Sequence, residues 1–247
     1  MTQDLPRITR PGNFRDLGVY TNVHGQRLRR GRLFRSDHLG ALEREDAAAI
    51  AALGVRRVLD LRGATERESA VCALEGVEVV SLAIEPTVVQ VLSGLAAAGH
   101  RLTPADVVAH MQDTYRGFVR HNTHRFAELF GHVLAAEAPL VFHCTAGKDR
   151  TGFAAAMLLR ALDVAQEDVL RDYLLTNERL AVPTVSRHGL APEVSAVLWR
   201  VQPEFLDAAM EAVHADYGSV EAYLRDGLGV GPAERKRLHA LYLDSSV

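Results

Sequence analysis

The 247-residue sequence predicts an α/β fold in which helices flank a mainly parallel central sheet and continue into a helical C-terminal part. Short apolar runs alternate with longer amphipathic segments over the first part of the chain, which is the pattern of parallel strands joined by helices. The rest of the chain is almost entirely helical in pattern. Neither a repeat nor a long linker interrupts the sequence, so a single domain over residues 1–247 is expected.

The elements have recognisable boundaries. A short hairpin over residues 13–35 is expected to turn at His24 and Gly25. An amphipathic helix over 41–54 ends at a glycine, and Thr103 followed by proline marks the start of another helical region. The other expected elements are strands at 55–61, 77–84 and 139–144, and helices across 104–136, 151–164, 203–218 and 219–229.

Composition argues against several classes of protein. Hydrophobic residues make up 48% and charged residues 24% of the chain, as in ordinary globular domains. The formal net charge of -3 supplies no general attraction to nucleic acid or to an anionic membrane. The apolar stretches are too short to span a bilayer, and the N-terminus lacks a secretory signal. A cytoplasmic location is therefore the default expectation, with secretion without a signal left open. Cys72 and Cys144 are too few for a disulfide framework or a zinc site of their own.

The segment HCTAGKDRTG at residues 143–152 carries the strongest functional signal. Cys144 ends an apolar strand and a helix starts near Arg150, so the intervening loop should turn its backbone N–H groups inward and bind an anion. Gly147 permits this turn. Arg150 can offer two coplanar N–H groups to a phosphate. The same field favours the thiolate form of Cys144 as a nucleophile, and Thr151 is placed to donate a hydrogen bond to its sulfur.

Two other interpretations of this loop are weaker. A cysteine at the end of an apolar strand is usually a small buried hydrophobe, but the Cys-x5-Arg-Thr-Gly spacing is too specific for that. A nucleotide-binding loop would need a glycine at position 142 and a serine or threonine at position 149. The sequence has Phe142 and Asp149 there, which excludes that loop. Lys148 is one of only two lysines in an arginine-rich chain, which indicates a role for an ammonium group. That group would either suit polyanionic inositol phosphates or pair with a nearby acidic residue.

The loop resembles the signature of cysteine-dependent tyrosine phosphatases of the GKDRTG type. Further segments resemble the bacterial tyrosine/serine phosphatase family, which includes a secreted mycobacterial enzyme acting on phosphoproteins and phosphoinositides. The resemblance implies a cysteine-phosphatase-like sandwich fold, with Cys144 as nucleophile, Arg150 as phosphate ligand, a phosphocysteine intermediate and no metal or other cofactor. These segments are NFRDLG at 13–18, LFRSDHL at 33–39, DLR at 60–62, DYLLTN at 172–177 and YGSVEAYL at 217–224.

The resemblance also implies the partners of the loop. The expected substrate is phosphotyrosine, with phosphoserine, phosphothreonine and phosphoinositides as further candidates, and inorganic phosphate is the product. Neither nucleic acid nor integral membrane association is expected. His143 is interpreted as a hydrogen-bonding residue that orders the loop rather than as a base. The residues assigned to the phosphate-binding loop are His143, Thr145, Ala146, Gly147, Lys148, Thr151 and Gly152.

The proton donor for the leaving oxygen is open between two aspartates. Many tyrosine phosphatases use a Trp-Pro-Asp loop, but the only tryptophan, Trp199, is followed by RVQPEF. Asp149 lies within the phosphate loop and either donates the proton or braces the loop. Asp60 ends a strand, as Cys144 does, so the two should reach the same edge of the sheet. There Asp60 either orients the loop or acts as the acid.

Other charged and polar residues are expected to have structural roles. Arg62 and Glu66 should form a local ion pair. The runs RPGNFR at 10–15 and RLRRGR at 27–32 are expected to be solvated basic surface, with attraction of acidic phosphopeptides or inositol head groups as the alternative. The residues expected to cap or brace helices are Asp172 and Asn177.

Two further questions stay open at the level of the sequence. Residues 178–203 are apolar and interrupted by proline and glycine, which suggests a helical lid, with plain packing as the alternative and 86–101 as the competing segment. Rhodanese-like sulfur transfer and a non-catalytic phospho-binding module are the alternative functions. The Arg-Thr-Gly sequence speaks against sulfur transfer, and retention of both Cys144 and Arg150 speaks against an inactive module.

Overall fold

A computed structural model describes residues 8–86, 88–180 and 190–244, except for the side chain of residue 89. Its centre is a five-stranded sheet in the order β1-β2-β5-β3-β4. β1 pairs antiparallel with β2 and the other pairings are parallel, so the predicted mainly parallel sheet is confirmed. The strands are β1 (Arg15–Asp16), β2 (Leu33–Ser36), β3 (Arg57–Asp60), β4 (Glu78–Ser81) and β5 (Leu140–His143).

Helices surround this sheet and make up the C-terminal part. The expected helical region 104–136 is two helices, because the backbone leaves the helical conformation at Asn122. Thr103 caps the first of them, as its position before proline predicts. Within the described residues, no helix combines the length and the apolar character needed to cross a bilayer. The helices are α1 (Arg44–Ala52), α2 (Ala64–Ser69), α3 (Val88–Ala97), α4 (Pro104–His121), α5 (Thr123–Leu134), α6 (Asp149–Ala161), α7 (Gln166–Arg179), α8 (Pro192–Leu198), α9 (Pro203–Tyr217), α10 (Val220–Ala222) and α11 (Pro232–Tyr242), with a π-helical turn at Tyr223–Gly227.

Side chains that alternate along the strands divide the core into two layers. Phe34, Val58 and Val141 share one cluster with Ile50 of α1. Their neighbours along the same strands belong to a larger cluster with α4, α5, α6 and the C-terminal helices. Because successive strand side chains point to opposite faces, the sheet is covered on both sides, which is the arrangement that a parallel sheet requires.

The register of the sheet places the loop at residues 144–148 at its carboxyl edge. Ser36 and Asp60 each pair with His143 across β2, β3 and β5, so the three strands end level with one another. The predicted hairpin is also present: β1 and β2 pair, and a bridge between Thr21 and Arg27 closes the turn. The carboxyl edge of a parallel sheet is where ligands bind in such folds, and the edge here carries Cys144.

Candidate active site

The phosphate loop runs from the end of β5 to the start of α6. Cys144 follows β5 directly and is 2% exposed, and Asp149 opens α6. Gly147 between them has a φ of 64°, in the left-handed region. A Cβ at this position would lie 2.3 Å from the backbone oxygen of Ser36, so the close approach of β2 requires glycine as strictly as the turn does.

The carbonyl groups of the loop are bound from behind. The Asn13 side-chain amide donates to the carbonyl oxygens of Ala146 and Gly147 at 3.0 and 2.9 Å. Arg35 donates to the Gly147 oxygen at 2.8 Å, and the backbone N–H of His38 donates to Thr145 at 3.0 Å. These bonds hold the loop carbonyls on the protein side, which is what an anion-binding nest with its N–H groups toward the cavity requires.

Two buried arginines and one buried aspartate form a charged cluster behind the loop. Arg15 and Arg35 contact the Asp172 carboxylate at 2.9 and 2.5 Å. All three residues are buried: Arg15 is 7% exposed, Arg35 0% and Asp172 2%. Burial alone would raise the pKa of Asp172, but the charges of Arg35 and Arg15 hold it below its ordinary value. The prediction that RPGNFR is solvated surface is therefore wrong at Arg15 and Asn13, because a carboxylate distant in the sequence pairs with the arginine. Asp172 lies inside α7 and ties this helix to β1 and β2, so of the two predicted roles it braces the helix and does not cap it.

Arg150 is held by Glu66 from helix α2. The Arg150 guanidinium donates to both Glu66 oxygens at 2.7 and 2.9 Å and to the carbonyl of Ile84 at 2.8 Å. Glu66 also accepts a hydrogen bond from Thr145. Although burial acts in the opposite direction, the bonds from Arg150 lower the pKa of Glu66 to about 2, so the carboxylate is charged at neutral pH. Burial would lower the pKa of Arg150, but Glu66, Cys144 and Asp149 raise it overall.

The expected ion pair between Arg62 and Glu66 is wrong. Arg62 turns back to Asp60 and contacts its carboxylate at 2.8 Å, while its only bond to Glu66 is to the backbone oxygen at 3.3 Å. The Glu66 carboxylate instead accepts hydrogen bonds from the Gly63 N–H at the start of α2, at 2.9 Å, and from Arg150. Arg62 precedes α2, which begins at Ala64, so the two residues do not share a helical turn and the short sequence separation does not pair them.

Asp60 reaches the predicted edge but not the cavity. Its carboxylate is 1% exposed, and Arg62 binds both of its oxygens. Burial tends to raise the pKa of Asp60, but Arg62 and His143 hold it below its ordinary value.

His143 is buried, which lowers its pKa to about 4, so the ring is neutral at pH 7. Its Nδ1 lies 3.0 Å from the Cys144 carbonyl, which suits the loop-ordering role expected for it.

Asp149 is the aspartate that faces the cavity. Its side chain is 24% exposed and lines the same cavity as Cys144. The Tyr115 hydroxyl donates to Asp149 Oδ1 at 3.0 Å, and Tyr173 lies 2.7 Å from that hydroxyl. Burial raises the pKa of Tyr115 well above its ordinary value, so the phenol stays protonated and available as a donor.

Lys148 and Thr151 complete the loop in different ways. The Lys148 ammonium lies 3.2 Å from Asp149 Oδ2 and donates to the backbone oxygen of Leu198 at 2.5 Å. Thr151 Oγ1 and Ser36 Oγ are buried and have no hydrogen-bond partner among the described residues. The hydrogen bond from Thr151 to the Cys144 sulfur stays a prediction.

The cavity over the loop has a volume of about 480 Å³. Both segments expected as lids contribute to it: Val88 and Gln90 from 86–101, and Leu198 and Trp199 from 178–203. Residues 181–189 of the second segment lie outside the described residues. The described part includes α8, whose last residue, Leu198, lines the cavity. A mobile lid stays a prediction.

The sequence does not identify four residues of the site. It predicts a pair of Glu66 with Arg62 instead of Arg150, and Tyr115 lies inside an apolar helix pattern. Asn13 and Arg35 belong to segments that resemble the family, but the sequence does not show what these residues contact. The resemblance to the phosphatase family could have pointed to most of these residues. Its segments NFRDLG, LFRSDHL and DYLLTN contain Asn13, Arg15, Arg35 and Asp172.

Comparison with known proteins identifies a family for the chain. A model described as the tyrosine phosphatase family matches residues 6–244. A protein of Cupriavidus necator assigned as a tyrosine-protein phosphatase is 38% identical over 230 residues, which cover 90% of this chain and 83% of that protein. The triple specificity protein phosphatase PtpB of Mycobacterium tuberculosis is 30% identical over 270 residues, with 94% and 96% covered. A tyrosine-protein phosphatase of Nostoc commune is 27% identical over 220 residues, with 83% and 71% covered.

Proposed function

Because the chain belongs to the tyrosine phosphatase family, we propose that it hydrolyses phosphotyrosine through a phosphocysteine intermediate on Cys144. One observation carries the proposal: Cys144 and Arg150 line one cavity at the N-terminus of α6, with the loop carbonyls bound away from it. A phosphate in this cavity would meet the loop N–H groups, the helix N-terminus and the free edge of Arg150. All of these act on the charge that spreads over the phosphoryl oxygens in the transition state.

The reaction proceeds in two displacements at phosphorus. In the first, the Cys144 sulfur attacks, a P–S bond forms and the bond to the tyrosyl oxygen breaks. In the second, water attacks, the P–S bond breaks and inorganic phosphate leaves. Thr151, whose hydroxyl has no partner among the described residues, is placed to donate to the sulfur as it departs. Glu66 acts through Arg150. It binds the two terminal nitrogens of the guanidinium, which fixes the plane of that group and leaves the Arg150 Nε to the ligand.

Asp149 is the general acid in this proposal. It donates its proton to the leaving tyrosyl oxygen and then accepts one from the attacking water. Its exposure to the cavity supports the role, whereas the Asp60 carboxylate is 1% exposed and bound by Arg62. Asp60 is proposed to orient His143 and the loop. Tyr115 keeps the Asp149 carboxyl pointed at the cavity through its hydroxyl.

The proposal extends to a wider set of phosphomonoesters. The Mycobacterium tuberculosis relative is named a triple specificity phosphatase, and the match to it covers 94% of this chain and 96% of that protein. We therefore include phosphoserine, phosphothreonine and phosphoinositides as candidate substrates, with phosphotyrosine preferred. A panel of these phosphomonoesters at matched concentration would rank them by kcat/KM.

Substitution of the two cysteines tests the nucleophile. Cys144→Ser should abolish hydrolysis of p-nitrophenyl phosphate yet retain binding of phosphotyrosine by calorimetry, since the loop amides and Arg150 remain. Cys72→Ser is the matched control, because Cys72 is half-buried outside the cavity and should keep wild-type activity. Rapid acid quench of the wild type should trap a phosphoenzyme that the Cys144 variant lacks. Residual turnover of Cys144→Ser comparable to wild type would contradict the mechanism.

A further inference from the structure

Lys148 and Trp199 form one arrangement beside the catalytic cavity. Lys148 is 4% exposed and reaches across to the chain segment that carries Trp199. We propose that Lys148 is a positioning residue that holds Trp199 at the cavity, and that Trp199 is the specificity-determining wall that favours aryl phosphates over alkyl and inositol phosphates. The inference rests on the proposed function and names the chemical class that its site prefers.

The Lys148 ammonium is fully engaged by protein oxygens. It lies 2.5 Å from the Leu198 oxygen, 3.4 Å from the Arg200 oxygen and 3.2 Å from Asp149 Oδ2. An ammonium has three N–H donors, and three oxygens surround it here. Although Lys148 lines the cavity, its ammonium is directed at these protein oxygens, which favours a positioning role over that of a site for a second phosphate.

The oxygens that Lys148 binds lie at the C-terminal end of α8. Helix α8 ends at Leu198, and the last carbonyls of a helix carry partial negative charge and lack partners within the helix. A lysine ammonium there offsets the negative charge and donates hydrogen bonds to these carbonyls. The side chain therefore ties α8 to the phosphate loop, at a position one residue before Asp149 and two before Arg150.

A second anchor lies on the other side of Trp199. The Asn177 side chain donates to the Val201 oxygen at 2.8 Å and accepts from the Val201 N–H at 2.9 Å. The segment 198–201 is thus bound at both ends, by Lys148 and by Asn177. Trp199 sits between the two anchors and has little freedom to leave the cavity.

Trp199 gives the cavity an apolar aromatic side. Leu198, Trp199 and Val88 line it together with Cys144 and Arg150. A phosphorylated phenol placed with its phosphate in the loop would direct its ring between these side chains, and aromatic pairs gain from offset or edge contacts. A phosphoserine side chain or an inositol ring offers no such contact. The wall therefore discriminates by what the phosphate is attached to.

The lysines and the single tryptophan allow a direct test. We expect Lys148→Met to shift the emission maximum of Trp199 to longer wavelength, because the loosened indole meets water. The kcat/KM for a phosphotyrosine peptide should fall by about 3- to 10-fold more than that for O-phosphoserine, a factor typical of one aromatic contact. Lys236→Met is the matched control, since Lys236 is the only other lysine and lies exposed on α11. It should change neither signal.

A variant of the wall itself completes the design. Trp199→Leu should lose the same preference for aryl phosphate, and adding Lys148→Met to it should lower the preference little further, because both act on one contact. Orthovanadate binding reports on the loop independently of turnover. An unchanged emission maximum in Lys148→Met would refute the positioning role. Equal losses on both substrates would make Lys148 a phosphate ligand and would also refute it. Absence of any wild-type turnover would refute the proposed function, while the emission of the free protein would still test the anchor.

Discussion

Replacement of Asp172 by asparagine should destabilise the protein more than replacement of Asp60, Asp149 or Asp163 by asparagine. The change removes the carboxylate that separates Arg15 and Arg35 and leaves two guanidinium groups buried with no counter-charge. Removing one partner of a buried ion pair costs about 3–5 kcal/mol. We expect the Asp172→Asn variant to fall in the upper half of that range, because two cations rather than one lose their partner and both are at most 7% exposed.

The loss should depend on pH in a defined direction. The pKa of Asp172 lies below its ordinary value in the folded protein, and an unfolded aspartate titrates near pH 4. The carboxylate therefore stabilises the fold fully above about pH 5, and this contribution disappears as the pH falls through the folded pKa. The difference in unfolding free energy between wild type and Asp172→Asn should be constant from pH 5 to pH 7 and should shrink below pH 4.

Urea unfolding at a series of pH values measures both effects, with Asp163→Asn as the matched control. Asp163 also binds an arginine, Arg235, but its side chain is 17% exposed and it lies away from the phosphate loop. Its backbone φ of 62° is one that asparagine tolerates. The control should lose less than Asp172→Asn, because Asp163 pairs with one arginine rather than two and is more exposed than Asp172. A loss below about 1 kcal/mol for Asp172→Asn, or one equal to the control, would show that the cluster does not carry the stability assigned to it.

Two further predictions concern the loop and the acid. Gly147→Ala should lower the unfolding free energy by about 2 kcal/mol or more, since a Cβ would lie 2.3 Å from Ser36 in addition to the left-handed backbone, and should also reduce vanadate affinity. Gly25→Ala, with a similar φ and no atom within 4 Å, should show only the backbone cost in the same thermal and urea assays. Asp149→Asn should slow hydrolysis of alkyl phosphates by about 10²- to 10⁴-fold and of p-nitrophenyl phosphate much less. Asp60→Asn should slow both substrates alike, and the same dependence on leaving group in both variants would leave neither aspartate as the single acid.

The sequence predicts the sheet, the order of helices and the phosphate loop because these depend on local patterns. Strand β5 is a short apolar run, Gly147 marks a turn, and the start of α6 follows from the apolar pattern after Arg150. The contacts of the loop could not be predicted in the same way. Arg15 and Asp172 are separated by 157 positions, and neither residue differs in its local setting from a solvated charge.

The wrong prediction for Glu66 shows that residue spacing alone does not identify the partner of a charge. Arg62 and Glu66 stand one helical turn apart, which suggests a pair, but α2 begins only at Ala64, after Arg62. Arg62 therefore lies in the turn before the helix and bends back to Asp60. Spacing rules for helices hold only when both residues are helical, so the boundary of α2 decided the partner of each charge.

The corrected pairing changes where the anion affinity of the loop originates. Arg150 is paired with Glu66 and Lys148 with Asp149, so the cations of the loop are largely balanced by carboxylates beside them. The donors that these pairs leave to a phosphate are the loop N–H groups, the α6 N-terminus and the remaining edge of Arg150. Backbone donors bind only if the loop keeps its shape, and that shape depends on Gly147 and on the bonds from Asn13 and Arg35. The buried cluster behind the loop is therefore as necessary to the chemistry as the residues in front of it.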